Sequence, residues 1–320
     1  MLSRVADSLY WMSRYIQRAE FTARLIDVNF NLMLDEASPS SVNRWRRVLR
    51  VLGNPPKLTW NGDLYDLSQR LSLDVSCQSS IVWCITAARE NARQVREQIS
   101  SEQWERLNIL YHHVTQAELS DLHNAPPTEF LQSVIEGIQF FQGASEATML
   151  HGEGWQFMRT GRFLERAFGT GALLDVYTTD FWGHAARHPE GHEYLEWIGL
   201  LRSCTAFEAY CKVYTADITP ERIVEFLLLQ KEFPHTVRFC IESVRDALEL
   251  IQQHRGGRRS APLDRVSGRL SSLLCYADLN EVLSSGVGSF LREILRLCAE
   301  IQQLIYRIFI DYSVESALAG

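Results

Sequence analysis

The sequence predicts an all-α protein, a multi-helix bundle built from two related helical halves. Three observations lead there. Apolar residues recur at spacings of three and four along most of the chain, and alternating strand patterns with hairpin turns are nearly absent. Proline- and glycine-bearing breaks, GNPPK at 53–57 and NAPPT at 124–128, divide these stretches at helix-sized intervals. The third is an internal likeness. LSRVADSLYWMSRYIQRAEFTARLIDV, residues 2–28, resembles LHGEGWQFMRTGRFLERAFGTGALLDV, residues 150–176, without a gap. A shift of 148 sets Arg14 on Arg162, Arg18 on Arg166, Thr22 on Thr170 and Asp27 on Asp175. The one chemically sharp difference is Gln17 against Glu165.

Residues 2–34 read as a long first helix. Val5, Leu9, Met12, Ile16, Ala19, Ala23, Ile26 and Phe30 form one apolar stripe, and Trp11, Phe21, Leu25, Val28 and Leu32 a second. A helix apolar on two sides belongs at the centre of a bundle. Arg14 and Arg18 fall within the second stripe, so each needs a carboxylate, a carbonyl or an anionic ligand. ASPSS at 37–41 ends the helix. Residues 42–52 form a short helix whose Arg44, Arg46, Arg47 and Arg50 read as a solvated basic face, or else as a docking surface for an acidic partner. A further short helix covers 63–74 with Asp63 as its N-cap.

Helices follow at 79–99 and 102–122, with Ser100 or Ser101 capping the second, and at 128–148. The repeat of the first helix covers 153–180, and FWGHAARHPEGHEY at 181–194 is a loop or broken helix. Helices at 193–216, 219–230 and 234–254 lead to the linker HRGGRRSAP at 254–262. Helices at 263–280 and 287–312 close the chain, the last with a stripe of Leu291, Ile294, Cys298, Ile301, Ile305 and Ile308. SSIVWCI at 79–85 also matches HTVRFCI at 235–241, now at a shift of 156. The organisation expected is one domain over 1–320, with halves at 1–148 and 149–312 and a tail at 313–320.

Composition bounds the function. The chain has 320 residues, 46% of them apolar, and a net charge of −7, which gives no overall attraction to nucleic acid. The seven cysteines are scattered without a CxxC pair, as in a reduced cytoplasmic protein. No run of 18 apolar residues suggests a membrane span. Charges at Asp7, Arg14 and Arg18 occupy the place where a signal peptide is apolar. His184, His188 and His192 have a spacing that suits zinc on a helix, but Pro189 and Gly191 interrupt one there, so a loop is the better reading. No phosphate loop, dinucleotide fingerprint or nucleophile elbow is present, and neither a cofactor nor a metal is expected.

Arg14, Gln17 and Arg18, with Arg162, Glu165 and Arg166, make the strongest constellation. Residues four apart share a helix face, so each helix presents an arginine pair. If the two helices pack about a pseudo-twofold axis, four guanidiniums line one cleft suited to a carboxylate or phosphate. Glu165 is then either the partner of Arg162 or a general base beside a bound anion. A purely structural network of arginines and carboxylates fits the same spacing.

These blocks, together with AYCKVYTADITPERIVEFLLLQKEFPHTVRFC, resemble a bacterial family, the alpha-E domain proteins (domain of unknown function 403), over nearly the whole chain. The resemblance implies a helical domain with a Glu-Arg motif. It also implies a cytoplasmic setting beside circularly permuted ATP-grasp proteins and transglutaminase-like proteins. Here the first motif is Gln17-Arg18-Ala19-Glu20 where the family has Glu-Arg-Ala-Glu. The leading expectation is an accessory partner of an ATP-grasp amide or peptide ligase, binding the ligase or its anionic substrate through the arginine cleft. The rivals are an enzyme with Glu165 as acid or base and Arg162 and Arg166 as anion clamp, and a structural scaffold.

Overall fold

A computed structural model describes residues 1–34, 40–55, 58, 60–117, 127–182, 191–215, 217–255 and 260–311. Among them are fourteen α-helices and no strand. The first half holds α1 (Ser3–Leu34), α2 (Ser40–Val51), α3 (Leu64–Leu73), α4 (Ile81–Gln94), α5 (Ser101–Gln116) and α6 (Thr128–Thr148). The second holds α7 (Glu153–Phe181), α8 (His192–Ser203), α9 (Phe207–Tyr214), α10 (Pro220–Leu229), α11 (Val237–His254), α12 (Ala261–Cys275), α13 (Leu279–Ser285) and α14 (Val287–Ile305). A π-helical turn over Tyr306–Ile310 ends the described chain. The tail expected at 313–320 lies outside the described residues.

α1 and α7 are the centre. α1 packs against α7, α4, α6 and α8, and α7 against α1, α11 and α14, giving a row α4–α1–α7–α11. Both apolar stripes of α1 are therefore used. Leu9, Met12, Ile16, Ala19 and Ala23 are buried on one side, and Leu25 and Leu32 on the other. The crossing of α1 and α7 is close because Gly161 has no side chain. A Cβ there would collide with the Tyr10 carbonyl oxygen. One step round the crossing, the Ser13 hydroxyl donates to the Met158 carbonyl. Ser13 and Gly161 are 148 apart, as are Tyr10 and Met158, so each helix presents the same register to the other.

The flanking pairs agree in detail. The Thr22 hydroxyl donates to the Ser79 carbonyl at 3.1 Å, and the Thr170 hydroxyl donates to the His235 carbonyl at 2.9 Å. Ser80 caps α4 by accepting from the Trp83 amide, and Thr236 caps α11 by accepting from the Phe239 amide. The Asp63 cap and the Ser100–Gln103 capping box start α3 and α5 where the sequence signals put them.

Three expectations are corrected. The helix expected over 193–216 is two, α8 and α9, separated at Cys204–Ala206 where Thr205 takes φ 52°. That expected over 263–280 stops at Cys275, and Asp278 caps the separate α13. The basic face of α2 is not solvated. Arg44 is 1% exposed and donates to Glu196 at 2.9 Å, while Arg47 pairs with the same carboxylate at 2.6 Å. Arg50 bonds Asp180 at 2.6 Å, and only Arg46 of the four faces solvent with no carboxylate beside it among the described residues. Their partners lie on α7 and α8, far away in sequence, so local pattern did not disclose them. The loop histidines His184 and His188 lie outside the described residues. His192 opens α8 beside Glu196.

Candidate functional site

The i, i+4 spacing of Arg14 and Arg18 puts both on the face of α1 that meets Glu165 on α7. Arg14 Nε donates to Glu165 Oε2 and Arg18 Nε to Glu165 Oε1, each at 2.6 Å. Burial pushes the Glu165 carboxyl up, but the Arg14 and Arg18 guanidiniums outweigh it and hold it below the usual carboxylate range. Arg14 is fixed further by a bond to the Tyr10 hydroxyl at 3.2 Å and lies 4.9 Å from the Trp11 ring centre. Its side chain is 5% exposed, whereas that of Arg18 is 25% exposed.

The triad forms the floor of a cleft of about 860 Å³. One wall is the face of α1 carrying Trp11, Tyr15 and Phe21, and the facing wall is the Glu165, Phe168 and Ala172 face of α7. The end of α2, the turn before α4 and Gln302 of α14 complete it. Trp11 stacks on Tyr15 with ring centres 5.2 Å apart, and Tyr15 meets Trp83 edge-on at the same distance. The site thus combines an aromatic wall, a positively charged floor and a rim bearing Arg50 and Asp175.

The four arginines do not share this cleft, and the expectation of one is corrected. Arg162 and Arg166 lie on the other side of the α1–α7 crossing. Arg166 donates to Gln17 Oε1 at 2.8 Å and to the Pro234 carbonyl at 3.1 Å. Gln17 Nε2 in turn donates to Glu20 Oε2 at 3.2 Å. An amide can accept from an arginine and donate to a carboxylate at once; a carboxylate in its place could do only the first. Glu20 also takes Arg24 and the Gln142 amide. Arg162 has no carboxylate partner among the described residues. Its Nε is buried without an acceptor, and burial, reinforced by Arg166, pulls its guanidinium down to about 10. The crossing therefore carries one complete Arg–Glu–Arg triad and, on its other side, an Arg166–Gln17 bond that does not include Arg162.

Residues 1–310 match the family model for Alpha-E, described as a predicted alpha-helical domain with a conserved ER motif. The chain belongs to the Alpha-E family. The Glu-Arg step inside the α1–α7 crossing is Glu165-Arg166, whose two side chains turn to opposite sides of it. Curated relatives come from Mycobacterium bovis and from two strains of Mycobacterium tuberculosis, each described as an uncharacterized protein. Each is 23% identical over 91% of this Alpha-E chain and 35% of its own length. The chain thus spans about a third of the length of these relatives. No solved structure matches it.

Other chemistry expected or excluded from sequence can now be placed. Cys77, Cys84, Cys204, Cys240 and Cys298 are buried, Cys211 is half-buried and Cys275 is exposed; none is bonded to another. Burial pushes the thiols of Cys84, Cys204, Cys240 and Cys298 up to about 12. No group of three His, Cys, Asp or Glu side chains among the described residues is arranged to hold a metal ion. No described helix is long and apolar enough to cross a membrane. The feature that sequence reasoning missed is Glu196, buried between Arg44 and Arg47. Its signal was a lone glutamate among the apolar residues Leu195, Trp197 and Ile198.

Proposed function

We propose that this Alpha-E domain is a non-catalytic binding module of a cytoplasmic ATP-grasp-type amide or peptide ligase system. Its aromatic cleft would hold an anionic, peptide-like segment of the substrate or of the ligase. One observation carries the choice of binding over catalysis: both oxygens of Glu165 are occupied by arginines. A carboxylate whose affinity for protons is depressed in this way is a poor general base at neutral pH. The buried thiols are equally poor nucleophiles. Arg18 has N–H groups beyond its Nε bond and a partly exposed side chain, so it can meet an incoming carboxylate or acyl phosphate at the cleft floor. Trp11, Tyr15 and Trp83 offer apolar faces for the rest of a peptide. The relatives carry this domain within a chain nearly three times as long, which suits a module that serves other domains.

The test is a thermal-shift screen of the purified protein against nucleotides, amino acids, short acidic peptides and phosphate, repeated on Arg18→Gln and Trp83→Ala. A ligand of the folded state raises the melting temperature by mass action. The reading expects stabilisation by acidic peptides that both variants lose, without turnover. Conversion of a peptide that stops in Glu165→Gln, with that variant still folded, would establish the enzyme instead. Circularly permuted ATP-grasp and transglutaminase-like proteins are the partners to mix with it, with cleft variants as controls.

A further inference from the structure

The side of the α1–α7 crossing that faces away from the aromatic cleft holds a second, smaller pocket, and the two share no lining residue. Helix α6 covers this side, where the other side stays open. Phe141, Gln142 and Ser145 of α6 close over Arg159 and Arg162 of α7, with Ser13 of α1 at the base.

The electrostatics of this pocket are unbalanced. Arg162 stacks on Phe163, 4.7 Å from the ring centre, and makes no hydrogen bond or ion pair among the described residues. Arg159 likewise has no carboxylate partner among them and reaches the same ring at 6.0 Å. Arg166 is a third cation nearby. Two carboxylates come close. Glu20 is already committed to Arg24, Gln17 and Gln142, and Glu146 sits exposed near the end of α6. A half-buried guanidinium whose Nε is shut off from water and which pairs with no counter-charge is costly, and the depressed proton affinity of Arg162 reports that cost. The related arginine on α1 shows what removes it. Arg14, 148 residues earlier, holds a carboxylate through Nε at 2.6 Å.

We infer that the pocket beside Arg162 binds a small carboxylate supplied from outside the domain. A guanidinium presents two parallel N–H groups to a carboxylate. The amide of Gln142 lines the same space and has one N–H beyond its bond to Glu20, while the Ser13 and Ser145 hydroxyls donate to the Met158 and Phe141 carbonyls and add only polar surface. The remaining lining, Ile16, Phe141, Trp155 and Met158, is apolar, which favours a singly charged carboxylate over a doubly charged phosphate. The pocket has only about 20 Å³ of room, so what enters is a carboxylate head: that of a free small acid, or the terminal carboxylate of a peptide.

The experiment is a thermal-shift titration of the full chain with sodium acetate and sodium formate, against sodium chloride and phosphate at matched ionic strength. The same titration is run on Arg162→Gln and on Arg159→Gln, with circular dichroism to establish folding. The site predicts a melting temperature that rises with acetate and formate, and much less with the other two salts. Arg162→Gln should weaken acetate roughly tenfold or more. Arg159→Gln, on a half-buried side chain with no ion pair to lose, should remain folded and weaken it less. A short peptide with a free C-terminus, compared with its amide, separates the two sources. Stabilisation by the acid form alone assigns the pocket to a peptide end, and stabilisation by acetate alone assigns it to a free acid. Absence of stabilisation by any carboxylate, or the same stabilisation in wild type and both variants, would overturn the inference. Loss of cleft ligands in Arg18→Gln leaves this outcome untouched, because that residue lines only the other site.

Discussion

Arg166 donates to Gln17 at 2.8 Å, and Arg18 donates to Glu165, the residue that corresponds to Gln17 on the partner helix, at 2.6 Å. The two bonds exchange helices, so each arginine meets the residue preceding the other. The difference lies in charge. One acceptor is an anion shared with Arg14; the other is a neutral amide that leaves Arg162 without a counter-charge.

Glu165→Gln should therefore be the most damaging conservative substitution at the crossing. It strands the buried Arg14 and the partly exposed Arg18, and breaking a buried pair from one side costs about 3–5 kcal/mol. Equilibrium urea unfolding checks this. A loss under about 1 kcal/mol would mean that Arg14 and Arg18 find other partners.

The same carboxylate gives a pH dependence of known sign. Its folded pKa is depressed, so its contribution is fully present above the unfolded value, about 4.3, and is lost as pH falls through the lower folded value. Wild type should lose its advantage over Glu165→Gln as the pH drops below about 4, and the two unfolding curves should converge. Melting temperatures of both proteins from pH 7 to pH 3 measure it.

Gly161→Ala should open the α1–α7 crossing. The new methyl group meets the Tyr10 carbonyl, which is backbone and cannot swing aside. Overpacking of this kind costs roughly 1–3 kcal/mol. Gly143→Ala, with open space around it, serves as the control and should be neutral or stabilising.

Thiol labelling should follow burial. With an aromatic disulfide reagent at pH 8, Cys275 should react at once and Cys211 slowly. The five buried cysteines should wait for denaturant. Rapid labelling of Cys84 in the native protein would show that the cleft beside Arg18 opens more than the structure describes.

Periodicity alone located most helices, because two apolar stripes on α1 and one on α14 leave little choice of conformation or face. Caps were legible too: Asp63 and Ser100 each accept a backbone amide at the start of a helix. Long-range pairing was not. Arg44 and Arg47 looked like surface charge because Glu196 lies some 150 residues on. The grouping of Arg14 with Arg18, apart from Arg162 and Arg166, depends on how α1 and α7 are rotated about their crossing. Spacing within a helix says nothing about that rotation. The break between α8 and α9 was also hidden, since no glycine or proline marks Cys204–Ala206.

The distance along the chain between Arg14 and Glu165 is 151 residues. A ribosome adding roughly 5–20 residues per second needs on the order of ten to thirty seconds to cover it. Throughout that interval the face of α1 that meets α7 is uncovered, and its two arginines lack their carboxylate. A nascent chain arrested before α7 emerges should be a strong chaperone client, and its release from chaperone should coincide with synthesis of the segment around Glu165.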